Sequence, residues 1–135
     1  MALRSRLEGE RGIVKLTARI EVLDGQAVTA ARLVVGETVA ALEIGGGFIA
    51  GEATIDRAPL WWPHTHGTPE LLPCRLEIEL GDARMALDLG HAGFREVKLD
   101  SGDEAMTFQV NGVRVFCRGA VWTPLDILRL RESPA

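Results

Sequence analysis

Apolar and polar residues alternate along most of this chain with a period of two. Val14, Leu16, Ala18, Ile20 and Val22 interleave with Lys15, Thr17, Arg19 and Glu21, the pattern of a strand with one face on a core and the other in water. Asp24-Gly25 ends it. The apolar runs Ala30 to Val35 and Thr38 to Ile44 are separated at Gly36, and Gly45-Gly46-Gly47 precedes another run from Phe48 to Ile55. Three further strands with loosely defined ends are predicted there.

Two hairpins carry sharper signals. Leu76, Ile78 and Leu80 alternate with Arg75, Glu77 and Glu79, Gly81-Asp82 offers the positive φ of a tight turn, and Met85, Leu87 and Leu89 return. Met106, Phe108 and Val110 then lead into Asn111-Gly112, the preferred pair for a type I′ turn, and Val113, Val115 and Cys117 follow at period two. No segment sustains a 3.6-residue repeat, although Leu125 to Arg131 has room for two helical turns between Pro124 and Pro134. The prediction is an all-β fold: an immunoglobulin-like antiparallel β-sandwich of about seven strands with a C-terminal β-hairpin extension, a small barrel being the alternative. The divisions expected are a leader or linker over 1–11, the sandwich over 12–99, the hairpin over 100–124 and a tail over 125–135.

Composition narrows the function classes. A chain of 135 residues, 47% hydrophobic and 25% charged, is one ordinary globular domain. Its net charge of −4 offers no basic footprint for nucleic acid or an anionic membrane. No apolar run approaches the roughly 20 residues of a membrane span, and Glu8, Glu10 and Arg11 follow the N-terminus in place of a signal-peptide core. A soluble, cytoplasmic protein is expected. Cys74 and Cys117 each sit in a strand-like apolar run, which favours two buried free thiols over a bridge.

The stretch Leu60-Trp61-Trp62-Pro63-His64-Thr65-His66-Gly67 gathers two of the three tryptophans and two of the three histidines. His64 and His66 are the candidate metal pair, but without a third ligand nearby no metal is assigned. Trp61 and Trp62 admit two readings, anchors that seal one domain on another or a platform for a sugar ring, and the first is favoured. Glu77, Glu79, Asp82 and Asp88 fall on solvent-facing strand positions or in a turn, so a convergent catalytic pair is not expected among them. Gly45-Gly46-Gly47 lacks the Lys and Ser or Thr of a phosphate loop, and no cofactor is implied.

Three separated motifs occur in a telling order: Leu60-Trp61-Trp62-Pro63 with Gly67, then Gly93-Phe94-Arg95, then Val110-Asn111-Gly112-Val113-Arg114-Val115-Phe116-Cys117-Arg118-Gly119-Ala120-Val121-Trp122-Thr123-Pro124-Leu125-Asp126. The set resembles β-mannosidases of glycoside hydrolase family 2 over roughly residues 12 to 126. In that family the LWWP pattern with a later G-x-G precedes a strand of an immunoglobulin-like domain. GFR closes that domain, and F-x-V-N-G-x-P-V-F-x-K-G-A-N-W-I-P-A-D opens the catalytic (β/α)₈ barrel. This chain departs from the pattern at Arg114, Val121, Thr123 and Leu125, where the family has Pro, Asn, Ile and Ala, which weakens the case for β-mannoside specificity.

The resemblance implies a larger parent, with a sugar-binding jelly-roll domain before this region and a barrel carrying both catalytic glutamates after it. Retaining glycosidases need two carboxyl groups about 5 Å apart, and neither matching motif is present. The chain is therefore expected to be an excised middle segment or a stand-alone remnant, inactive alone, with no catalytic residue of its own. Trp122 is the residue expected to approach bound sugar, the alternative being that it packs beneath the barrel. Trp61, Trp62, Phe94 and Arg95 are expected at a domain interface, with Arg95 bridging to backbone or carboxylates. Without the barrel, uncovered apolar surface would favour a homo-oligomer. Two further readings remain, a free-standing carbohydrate-binding module and a protein-interaction sandwich.

Overall fold

A computed structural model describes residues 1–22, 27–101 and 106–121. Eleven strands account for most of them: β1 (Ala2–Glu8), β2 (Arg11–Arg19), β3 (Val28–Val35), β4 (Thr38–Ala41), β5 (Glu43–Gly45), β6 (Phe48–Ile55), β7 (Leu72–Leu80), β8 (Ala83–Ala92), β9 (Val97–Ser101), β10 (Met106–Val110) and β11 (Val113–Val115). Among the described residues there is no helix, and hence none long and apolar enough to cross a membrane.

Two four-stranded antiparallel sheets, ordered β1-β2-β6-β5 and β4-β3-β7-β8, face each other. This is an immunoglobulin-like arrangement, with four strands in each layer. The alternation read in the sequence explains the core. Val14 and Leu16 of β2 and Ile49 and Ala53 of β6 point inward from one sheet, and Leu33 and Val35 of β3 with Cys74, Leu76 and Ile78 of β7 meet them from the other. Their polar neighbours Lys15 and Glu52 pair on the outer face, as do Arg32 and Glu79. The tight turns fall where glycine permits a positive φ; at Asn111-Gly112 both residues take it, with φ of 51° and 79°, as a type I′ turn requires.

Four expectations change. Within residues 1–11 lies a strand of the sandwich: β1 pairs with β2 along its whole length, from Ala2↔Thr17 to Glu8↔Arg11. It carries only Leu3 and Leu7 towards the core, too thin a pattern to read as a strand. The run from Thr38 to Ile44 is two strands, because the chain leaves one sheet for the other at buried Leu42. The 99/100 boundary falls inside β9, which pairs with β10 and belongs to a separate sheet of order β11-β10-β9. Cys117 lies beyond β11 and is exposed, whereas Cys74 is buried; both are free. Burial pushes the Cys74 thiol above its ordinary value. Leu125 to Arg131 and the expected tail lie outside the described residues.

Candidate functional site

The Trp-rich loop joins β6 to β7 and is held closed by its own backbone. The Trp62 N–H donates to the Thr68 carbonyl at 3.1 Å, and the His66 N–H to that of Pro63 at 2.8 Å. Gly67 packs tightly there, since a Cβ would lie 3.0 Å from the Trp62 side chain. Both tryptophans are half-buried. Thr65 Oγ1 and His66 Nδ1 are 2.7 Å apart, and among the described residues no cluster of His, Cys, Asp and Glu could hold a metal ion.

The loop is pinned to the segment that follows β8. Trp61 N–H donates to the Phe94 carbonyl at 2.8 Å, and Leu60 forms a parallel bridge with Phe94. Phe94 itself is only 1% exposed, so within this chain it is a core residue. Its ring sits where Cβ atoms on Gly12 would come within 2.6 Å of it, and Ala58 closes the same corner. Next in sequence, exposed Arg95 turns back so that its guanidinium carbon lies 4.5 Å from the Trp61 ring centroid, a cation–π contact. One face of Trp61 is thereby occupied from within the chain. Trp61 and Arg95 thus meet each other, with Trp62 next to Trp61 in the loop; Trp122 lies outside the described residues.

Asn111, at the β10–β11 turn, completes this corner. Its Nδ2 donates to the Trp61 carbonyl at 3.0 Å, and its Oδ1 accepts the Glu96 N–H at 2.9 Å. Its backbone N–H donates to the Glu96 carbonyl at 2.9 Å. The β10–β11 turn is thus tied to the Trp loop. Beside the tie lies an open cleft of about 910 Å³, lined among others by Leu7, Glu10, Arg57, Leu60, Glu96 and Asn111. A single sequence held no signal for the tie, because an Asn-Gly turn has its backbone reason to contain asparagine.

The small sheet has two unlike faces. Register places Val97, Val110 and Val113 side by side, and Leu99, Phe108 and Val115 in the next row. The other face carries Lys98, Gln109 and Arg114, with Asp100 beside Thr107. Val97, Leu99, Phe108 and Val113 remain 36–54% exposed, so the apolar face is largely uncovered among the described residues. Phe116 and Val121, in the segment leaving β11, are exposed too. Three of the carboxylates considered from the sequence are engaged: Glu79 pairs with Arg32 and Arg84, Glu77 with Arg75, and Asp88 accepts the Gly90 N–H.

No protein-family profile matches the chain. Curated relatives do: it is 30% identical over 87 residues to β-mannosidase B of Aspergillus niger, covering 62% of this chain and 10% of the relative. It is 27% identical over 104 residues to β-mannosidase B of Emericella nidulans, covering 74% and 12% respectively. Over these stretches the chain is similar to β-mannosidases, in keeping with the resemblance to glycoside hydrolase family 2. In fold, the β-mannosidase-like chain is similar to an exo-chitosanase of Amycolatopsis orientalis solved with a nitrophenyl glucosamine, at a TM-score of 0.62 and 19% identity. That match covers 98% of this chain and 16% of the chitosanase. The β-mannosidase-like chain therefore spans about a tenth of the length of the curated relatives it matches.

Proposed function

We propose that this chain is a non-catalytic accessory module of a β-mannosidase-like glycoside hydrolase, and that the apolar face of the β9–β11 sheet receives the catalytic barrel. The observation that carries this reading is that face. A three-stranded sheet with Val97, Leu99, Phe108 and Val113 in water leaves apolar area whose burial is worth roughly 25 cal/mol per Å², and soluble domains cover such patches. The matched relatives supply a neighbour, since nearly nine-tenths of their length lies outside the match. The sandwich then acts as a rigid mount.

A free-standing carbohydrate-binding module has less support. A stacking platform presents a free aromatic face, whereas Trp61 lends one face to Arg95 and both Trp61 and Trp62 are half-buried. Titration with manno-oligosaccharides should leave tryptophan fluorescence without a saturable change, and nitrophenyl mannoside should not be turned over by this chain alone.

The direct test uses cysteine labelling. Leu99→Cys, in a Cys117→Ser background, should react readily with a thiol reagent in this chain and become protected when the chain is joined to a barrel of the family. Equal reactivity in both would overturn the docking face.

A further inference from the structure

We infer that Asn111 is a positioning residue, a latch that fixes the small sheet at one angle to the sandwich by binding the Trp61 carbonyl and the Glu96 N–H with the two ends of one carboxamide. The need for a latch follows from the connection. Phe94 is locked in the core and β9 begins at Val97, so two residues, Arg95 and Glu96, are the covalent link along the chain. Four backbone dihedrals in a short exposed linker allow the small sheet to swivel unless a second tie triangulates it. Among the described residues, the bond from Asn111 Nδ2 to the Trp61 carbonyl is the side-chain hydrogen bond that joins the hairpin to the sandwich loop. It spans 50 positions in sequence.

Both ends of that tie are themselves fixed. Trp61 is hydrogen-bonded to Phe94 through its N–H, with Arg95 over its ring. Glu96 is bonded to Asn111 twice: its carbonyl accepts the Asn111 backbone N–H and its own N–H donates to Asn111 Oδ1. The carboxamide is the group that can do this, since it offers a donor and an acceptor at once. The turn alone does not need it: at a φ of 51° glycine would serve the type I′ geometry equally well. A carboxylate would keep the acceptor for Glu96 but set oxygen against the Trp61 carbonyl.

This distinction gives the experiment. The inference rests on the proposed function for what the joint carries, not for the joint itself, and is tested on this chain alone. Residual dipolar couplings of the ¹⁵N-labelled protein should fit one alignment tensor for both sandwich and small sheet in the wild type. In Asn111→Gly, which keeps the turn, the two parts should need separate tensors, and exchange of the Glu96 amide should rise about tenfold. Asn111→Asp should also need separate tensors yet leave Glu96 exchange near wild type, because the carboxylate still accepts that N–H. One shared tensor in Asn111→Gly would overturn the latch. So would loss of the Phe108–Val115 pairing in that variant, which would assign Asn111 to turn formation alone. If the couplings behave as expected while Leu99→Cys stays reactive beside a barrel, the latch stands and the docking face falls.

Discussion

Phe94 shows how differently a residue reads in sequence and in space. Between Gly93 and Arg95, at the end of a strand, it suggests an exposed aromatic anchor. The structure places it in the core because Gly12 and Ala58, from two distant parts of the chain, leave a hollow of its size. Nothing local to Phe94 encodes that hollow. Phe94→Ala should cost about 3–5 kcal/mol, as expected for a large side chain removed from a close-packed site, measured by urea denaturation. Arg95, expected to bridge to backbone or carboxylates, lies in this chain over the Trp61 ring, a partner far from it in sequence. A second residue-scale effect concerns pH. Hydrogen bonds from Arg6 hold the Glu52 carboxyl below its ordinary value of 4.5. A carboxyl whose pKa is depressed by folding stabilises the native state above its ordinary value and loses that contribution as pH falls through the depressed one. The difference in melting temperature between wild type and Arg6→Gln should therefore be largest near neutrality and shrink on acidification. A difference that grew towards acid pH would contradict the pairing.

Elements were legible where the alternation was strong and both ends carried turn residues. The β7–β8 and β10–β11 hairpins stand where Gly81-Asp82 and Asn111-Gly112 put them. β1 and β9 escaped for opposite physical reasons. An edge strand such as β1 has half its width in water and needs few apolar residues. β9 is apolar on alternate positions but short, and its partner β10 lies beyond the segment 102–105. The split between β4 and β5 was hidden because a strand that changes sheets keeps the same period on both sides of the crossing. What makes the crossing work is contact between Leu42 and β6: a Cβ on Gly51 would lie 2.7 Å from Leu42 Cδ2. Gly51→Val should therefore destabilise the sandwich by about 1–3 kcal/mol, as overpacking does. Gly45→Ala, on the neighbouring strand and with nothing within 4 Å of the added atom, should stay within about 0.5 kcal/mol. Equal losses in the two variants would mean that the cost does not come from the Leu42 contact.

At the scale of the whole molecule, the uncovered face of the small sheet sets the behaviour of the chain in solution. The two rows Val97, Val110, Val113 and Leu99, Phe108, Val115 form a flat apolar strip, and β9 and β11 are both edge strands of their sheet. An apolar face flanked by open edges is the arrangement that promotes pairing with another chain. In isolation the protein should therefore associate with itself as concentration rises, and sedimentation should report the onset. A charge placed on the strip opposes this without touching the core, because Leu99 and Phe108 are 54% and 36% exposed and lie outside the sandwich. Leu99→Lys combined with Phe108→Lys should abolish association while leaving the thermal midpoint of the sandwich unchanged. Val39→Lys, at an equally exposed apolar position on β4, serves as the control and should associate like the wild type. If Val39→Lys disperses the oligomer and the double variant does not, the sticky surface is the sandwich edge. The small sheet then has no claim to be the face on which a larger enzyme is assembled.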